Sequence, residues 1–225
     1  MINILKFAMT HSEENYLKVI YHLSLNPSQG ITTNAIANVM ESKPSSVTDM
    51  VQKLAEKGLV AYKKYQGVSL TDKGRQNALM IVRKHRLWEV FLVEKLDFSW
   101  DEVHDVAEQL EHIKSEKLTN KLEEFLEFPT EDPHGDPIPD RNGKIAKVDK
   151  KLLSEIAIGT KSICVGVKDS SPTFLQYLDK QQIALGSELE VVARENFDHS
   201  LTLLVNSKEV IVSSKIAANL FVKYI

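Results

Sequence analysis

A chain of 225 residues that is 43% hydrophobic and 26% charged has the make-up of a folded globular protein, with room for two or three small domains. Its apolar runs fall short of the roughly 18 residues that span a bilayer, and the apolar opening MINILKFA lacks the charged start and cleavage site of a secretory signal, so it reads as a frayed or alternative start before Met9. The single cysteine, Cys164, excludes an intrachain disulfide framework and a thiolate-rich zinc cluster, and it fits a cytoplasmic protein.

The net charge of −3 is unevenly spread. Residues 1–76 carry 9 Lys/Arg against 6 Asp/Glu, residues 77–142 carry 8 against 16, and residues 143–225 carry 11 against 9. A mildly basic head beside an acidic middle fits a polyanion-binding module joined to a cation-binding one, although a well-solvated acidic face gives the same count.

In SEENYLKVIYHLSL, Tyr16, Leu17, Ile20, Tyr21 and Leu23 stand at helical spacing, which predicts a first helix from a Ser12 cap to Leu25. NPSQG breaks the chain. TTNAIANVM predicts a short second helix with a threonine cap and Ala35, Ile36 and Val39 facing inward. Pro44 then opens a third helix with Val47, Met50, Val51 and Leu54 on one face, ended by Gly58. LVAYKKYQGVSLT follows as a hairpin. Helix, turn, helix and hairpin in this order form a winged helix-turn-helix with the third helix as recognition helix. The residues this arrangement turns toward double-stranded DNA are Ser45, Ser46, Thr48, Asp49, Gln52 and Lys53 of helix three, Thr33 of helix two, and Lys63 and Lys64, with Tyr62 and Tyr65, on the wing.

Two long helices are predicted next, from Asp72 to Lys95 with Thr71 as cap and from Asp101 to Leu126. Long apolar-rich helices behind a DNA-binding head are natural homodimerisation elements, because two-fold operators call for two-fold proteins. FPTEDPHGDPIPDRNG is non-helical. Beyond Val148, five short β-prone runs and a short helix from Pro172 to Leu178 predict a small β-barrel without a catalytic motif. The expected architecture is mainly α with small β: a DNA-binding domain over residues 1–76, a helical dimerisation and metal-binding domain over 77–147, and a barrel over 148–225.

The segment HDVAEQLEH places His104, Glu108, Glu111 and His112 at relative positions 0, 4, 7 and 8. On a continuous helix these fall within a sector of about 100 degrees. His85 and Glu89 form a second i,i+4 pair on the preceding helix, and Asp132 and His134 add donors from the DPHGD loop. Either pair alone more often only solvates a helix face, but both on consecutive helices point to metal. Carboxylates and imidazoles without thiolate suit Mn(II) or Fe(II), with the loop donors offering a second site and so two metal ions per protomer.

NYLKVIYHL, PSSVTDMVQKLAEKGLV, VRKHRLWEVFLVEKL, VHDVAEQLEH and DPHGDPIP together resemble the diphtheria toxin repressor family of metal-dependent repressors, over essentially the whole chain from Met9. The resemblance implies a homodimer that binds metal and then an operator of metal-uptake or metal-homeostasis genes, and a C-terminal domain similar to SH3 and FeoA domains. It places Glu108, Glu111, His112 and Asn15 in a primary metal site and His85, Glu89 and His104 in an ancillary one. It makes Glu89, Asp132 and His134 a second-site group, and Asp169 the candidate ligand from the barrel. Acidic Glu108, where iron-responsive members tend to have cysteine, leans toward manganese; neutral Asn15 fits neither the iron nor the manganese pattern. The competing readings are a metal-independent winged-helix regulator whose barrel binds another ligand or protein, and a metalloenzyme, for which the chain offers no phosphate loop or nucleophile elbow.

Overall fold

A computed structural model of the chain describes residues 9–25, 30–63 and 66–225. The expectations placed on MINILKFA, on most of the NPSQG break and on Lys64 and Tyr65 fall outside these residues. The described chain divides into two compact units, and the division falls within helix α4, after His85. Residues 110–114 and 139–144 belong to the first unit, and 86–109, 115–138 and 145–225 form the second.

The first unit holds the winged helix. Helix α1 spans His11–Ser24, and its cap is Thr10 rather than the expected Ser12: the Thr10 side chain accepts from Glu13 N and the Glu13 carboxylate accepts from Thr10 N. That reciprocal pairing satisfies two end-of-helix donors at once, which a cap at Ser12 would not. Helices α2 (Thr33–Val39) and α3 (Pro44–Glu56) follow, then strands β1 (Val60–Lys63) and β2 (Gly67–Leu70). Val68 also pairs with Ile31 ahead of α2, which adds a rung to the wing. Leu17, Ile20 and Tyr21 of α1 are buried, as are Ile36 of α2, Val47, Val51 and Leu54 of α3, and Val60 and Val68 of the wing. Val39, expected inside, is 56% exposed, because the seven-residue α2 buries only Ile36 and Ala37. Helix α4 spans Asp72–Leu96, with Thr71 Oγ1 accepting from Gly74 N.

The second long helix expected over Asp101–Leu126 is broken. Helix α5 (Val103–Leu110) ends one residue before Glu111, and α6 (Glu116–Phe125) begins behind Ser115, whose hydroxyl accepts from Leu118 N. Ser115 provides the N-terminal cap from which the helix restarts.

In the second unit, Leu87 and Val90 of α4 pack with Leu122 and Leu126 around α6 and with Ile138. The sheet strands are β3 (Lys151–Leu152), β4 (Lys161–Val167), β5 (Glu188–Arg194), β6 (Leu201–Val205), β7 (Lys208–Val212) and β8 (Leu220–Tyr224). They form one antiparallel sheet ordered β3-β8-β4-β5-β6-β7. Its inner face is alternate residues, such as Leu201, Leu203 and Val205 of β6, and helix α7 (Pro172–Lys180) lays Phe174, Leu175 and Leu178 against them. Helix α8 (Ser214–Ala217) leads into β8. The fold is mainly helical with a winged-helix head, a helical middle and a C-terminal SH3-like β domain.

The DPHGD loop docks on this sheet. His134 O accepts from Val167 N at 2.9 Å, and Gly135, at φ +79°, lies so close to β4 that a Cβ would sit 2.1 Å from Val165 O. Lys150 Nζ donates to Gly135 O and stands over the Phe221 ring.

Candidate metal centres and DNA-binding face

Because α5 ends at Leu110, His104, Glu108, Glu111 and His112 do not share one helical face as their spacing suggested. Glu111 and His112 lie in the turn after α5, and the four are distributed over the two units.

In the first unit, Glu111 is fully buried. Its Oε2 lies 2.7 Å from His85 Nδ1 and 2.7 Å from Lys18 Nζ of α1. Burial alone would raise the Glu111 pKa; the His85 hydrogen bond and the Lys18 charge outweigh it and hold the carboxyl below its ordinary value. His112 Nδ1 lies 2.6 Å from Glu14 Oε2, and the His112 ring stacks on His11 at 4.3 Å. Asn15 stands beside Glu14 on α1. Asn15 Oδ1 and Glu111 Oε1 are buried with no hydrogen-bond partner among the described residues. Bare buried acceptors are rare in native folds and are the atoms a hard cation takes up, so the residues present fit a divalent metal bound by oxygen and imidazole.

In the second unit, Glu89, Asp132 and His134 each offer a ligand atom within 4.8 Å of the others, and all three are buried. Glu89 Oε1 is 3.7 Å from His134 Nδ1 and 3.5 Å from His104 Nδ1, and His104 Nε2 is 3.7 Å from Glu108 on α5. The DPHGD loop holds this group in place. Asp132 Oδ1 accepts from the backbone N–H groups of His134 and Asp136, and Arg86 Nε lies 3.3 Å from Asp132 Oδ2. His134 Nε2 lies 2.8 Å from Trp100 O, which leaves Nδ1 toward Glu89.

Burial works against the charged form of His134, yet the Glu89 hydrogen bond and charge and the Asp132 charge raise its pKa to about 9. Asp132 is raised as well, by burial and then by the Glu89 charge. A metal takes neutral imidazole and ionised carboxylate, so loading this group expels protons. With the His134 pKa raised to about 9, a metal bound here would have to displace the His134 proton below that pH, so its affinity would rise with pH by about tenfold per unit for each proton released. Mn(II) titrations between pH 6 and 8 should show that slope, with His134→Ala removing one proton's share of it while Asp132, raised to about 7, still contributes; a pH-independent wild-type affinity would sink the assignment.

Asp169, the candidate from the C-terminal domain, uses Oδ1 to accept from Ser171 N at the start of α7 and does not join the described Glu89 group. Sequence reasoning did not single out Lys18 or His11. The face that α1 presents at positions 11, 14, 15 and 18 is the signal that would have found both.

On the head, Ser45, Ser46, Asp49, Gln52 and Lys53 of α3 and Lys63 of β1 are exposed, while Thr33 and Thr48 are half-buried. Thr48 Oγ1 donates back to Pro44 O, so its hydroxyl is engaged within its own helix. Met50, expected in the core, is only half-buried. Lys43, the N-cap of α3, makes no side-chain capping hydrogen bond among the described residues.

A winged helix whose first helix carries donors into a carboxylate and imidazole centre defines the class of metal-dependent transcriptional repressors. Three sequence families match in succession: "Iron dependent repressor, N-terminal DNA binding domain" at residues 8–68, "Iron dependent repressor, metal binding and dimerisation domain" at 71–140, and "FeoA domain" at 151–224. The chain is 30% identical to the iron-dependent repressor IdeR of Mycobacterium tuberculosis over 193 residues, which are 85% of this chain and 74% of that one. It matches a probable metal transport system membrane protein of Chlamydia trachomatis at 47% identity over 91 residues, 40% of this chain and one fifth (20%) of that protein's length. Among solved structures, a manganese-dependent transcriptional repressor in complex with manganese superposes with a TM-score of 0.85 at 36% identity, covering 95% of this chain and all (100%) of that one. The chain belongs to the iron-dependent repressor family, as its motifs led one to expect. No described helix is long and apolar enough to cross a membrane.

Proposed function

We propose that this chain is a cytoplasmic homodimeric repressor that binds operator DNA when loaded with Mn(II) or, in second place, Fe(II), and so controls metal-uptake or metal-homeostasis genes. The observation that carries the reading is the 2.6 Å approach of Glu14, a residue of the DNA-binding head, to His112 in the turn after α5. Donors from α1 and from that turn belong to one unit, so a single bound cation would meet both.

Glu14 and Asn15 would hold it from the head, and Glu108, Glu111 and His112 from α5 and its turn. His85, Glu89 and His104 are the proposed ancillary ligands. Glu89, Asp132 and His134 form the proposed second-site group, without Asp169, and with the primary site this makes two metal ions per protomer. Oxygen-rich sets without thiolate favour manganese. The domain limits near residues 76 and 147 are part of this proposal. The dimer is supported by Leu118, Phe125 and Phe128, large apolar side chains at or beside α6 that stay exposed in the single chain.

Holding α1 at a fixed angle fixes the spacing of the two recognition helices that an operator demands. A metal preference of about 3 kcal/mol for the competent state changes operator affinity by about 100-fold. Anaerobic titration of Mn(II), Fe(II), Co(II) and Zn(II) against operator binding, with bound metal counted in parallel, tests this. Manganese should act at the lowest concentration, and a chelator should reverse it. Operator affinity indifferent to chelator removes the proposal.

A further inference from the structure

Lys18 follows Glu14 by one turn of α1, so the head helix presents an acid and an ammonium on the same face. The Lys18 side chain is 9% exposed, and its Nζ lies 2.7 Å from Oε2 of Glu111, whose side chain is 0% exposed. An ammonium is costly to bury without a carboxylate against it. Here the carboxylate that meets this need is one of the donors a divalent cation would use. The two Glu111 oxygens are thus unequal: Oε2 faces Lys18 Nζ and His85 Nδ1, while Oε1, like Asn15 Oδ1 three residues before Lys18, has no partner. Lys18 also joins the same two elements that metal would join, α1 and the turn after α5.

We propose that Lys18 is a tethered counter-cation, which closes the junction between α1 and Glu111 when no metal is bound and competes with a divalent cation for Glu111. This rests on the metal-dependent repressor reading and sharpens it. Two charges on one cation outcompete one on a lysine only above a threshold concentration, so Lys18 sets the metal level at which the junction loads. It also gives the metal-free head a partial tether, and with it a residual affinity for operator. The displaced ammonium leaves Glu111 for solvent.

The first test uses the unaltered full-length protein. Amine-reactive labelling read by mass spectrometry should modify Lys18 slowly without metal and several-fold faster with saturating Mn(II); equal labelling in the two states overturns the proposal. The second compares variants. Lys18→Met should bind Mn(II) about tenfold more tightly, as free Mn(II) counted by electron paramagnetic resonance, and should lose metal-free operator affinity. Lys18→Arg, which keeps the charge, should retain both wild-type values. A folded Lys18→Met protein with wild-type metal affinity overturns the proposal, and if that variant does not fold, the labelling result decides. A wild type that binds no Mn(II) and reads operator regardless of metal defeats the repressor reading and this inference together. A metal-responsive wild type matched by Lys18→Met defeats this inference alone.

Discussion

Replacing Glu111 with alanine should lower the unfolding free energy by about 3–5 kcal/mol, the usual cost of removing one partner from a buried ion pair. Glu111 is fully buried and serves two groups, His85 and Lys18, through a single oxygen. Without it, the Lys18 ammonium loses the carboxylate at 2.7 Å while still enclosed by α1 and the turn after α5. Chemical denaturation should show the midpoint falling with little change in slope, because the core residues of the head are untouched. The double variant Glu111→Ala, Lys18→Met should recover a large part of the loss, since it also removes the ammonium that Glu111 had faced. A Glu111→Ala protein within about 1 kcal/mol of wild type would mean that the pair contributes little, at the level of an exposed surface pair.

Gly135→Ala should be nearly as damaging, for a reason of space rather than charge. Its φ of +79° disfavours any side chain, and a Cβ would fall 2.1 Å from Val165 O and 2.5 Å from Gly166 Cα, both backbone atoms of β4 that cannot swing aside. Overpacking together with the left-handed backbone cost amounts to about 3 kcal/mol. The loop must lift off the sheet, taking with it the His134 carbonyl bonded to Val167 N and the Asp132 side chain that orders the turn. Metal capacity of the Glu89 group should therefore fall along with stability. Gly159→Ala is the control: φ is similarly positive at +80°, but nothing lies within 4 Å of the added carbon. It should cost only about 1 kcal/mol. Equal effects at the two positions would show that backbone conformation alone, and not the close approach to β4, governs Gly135.

The winged helix was legible because each of its signals is local: a helical stripe, a proline at a first turn, a glycine after a last turn and a hairpin around Gln66 and Gly67. The C-terminal sheet was legible from its alternation, though the two-residue β3 and the pairing order carry no local signature. The helical wheel failed at Glu111. It assumes that the helix continues, whereas α5 stops at Leu110 and a new helix starts from its own cap at Ser115. The wheel therefore put four donors on one helical face, whereas only His104 and Glu108 lie on α5; Glu111 and His112 lie in the turn after it, Glu111 against Lys18 and His85 and His112 against Glu14. Lys18 was invisible for a different reason. Its partner lies 93 residues away, and nothing in the local pattern of α1 separates a lysine that snorkels to water from one that turns inward.

The bare oxygens of Asn15 and Glu111 bear on how long a copy of this protein lasts. Unfolding returns both atoms to water, so the native head is held less firmly than its apolar core alone would hold it. A cation that meets those oxygens binds only the native form, and at a hundred times its dissociation constant it adds about 2.7 kcal/mol to stability. The transiently open population exposed to proteases then shrinks by about a factor of 100. Under the proposed function, the metal-free protein should therefore be cut by an added protease faster than the Mn(II)-loaded protein, and equal digestion rates would show that the two oxygens take up no cation.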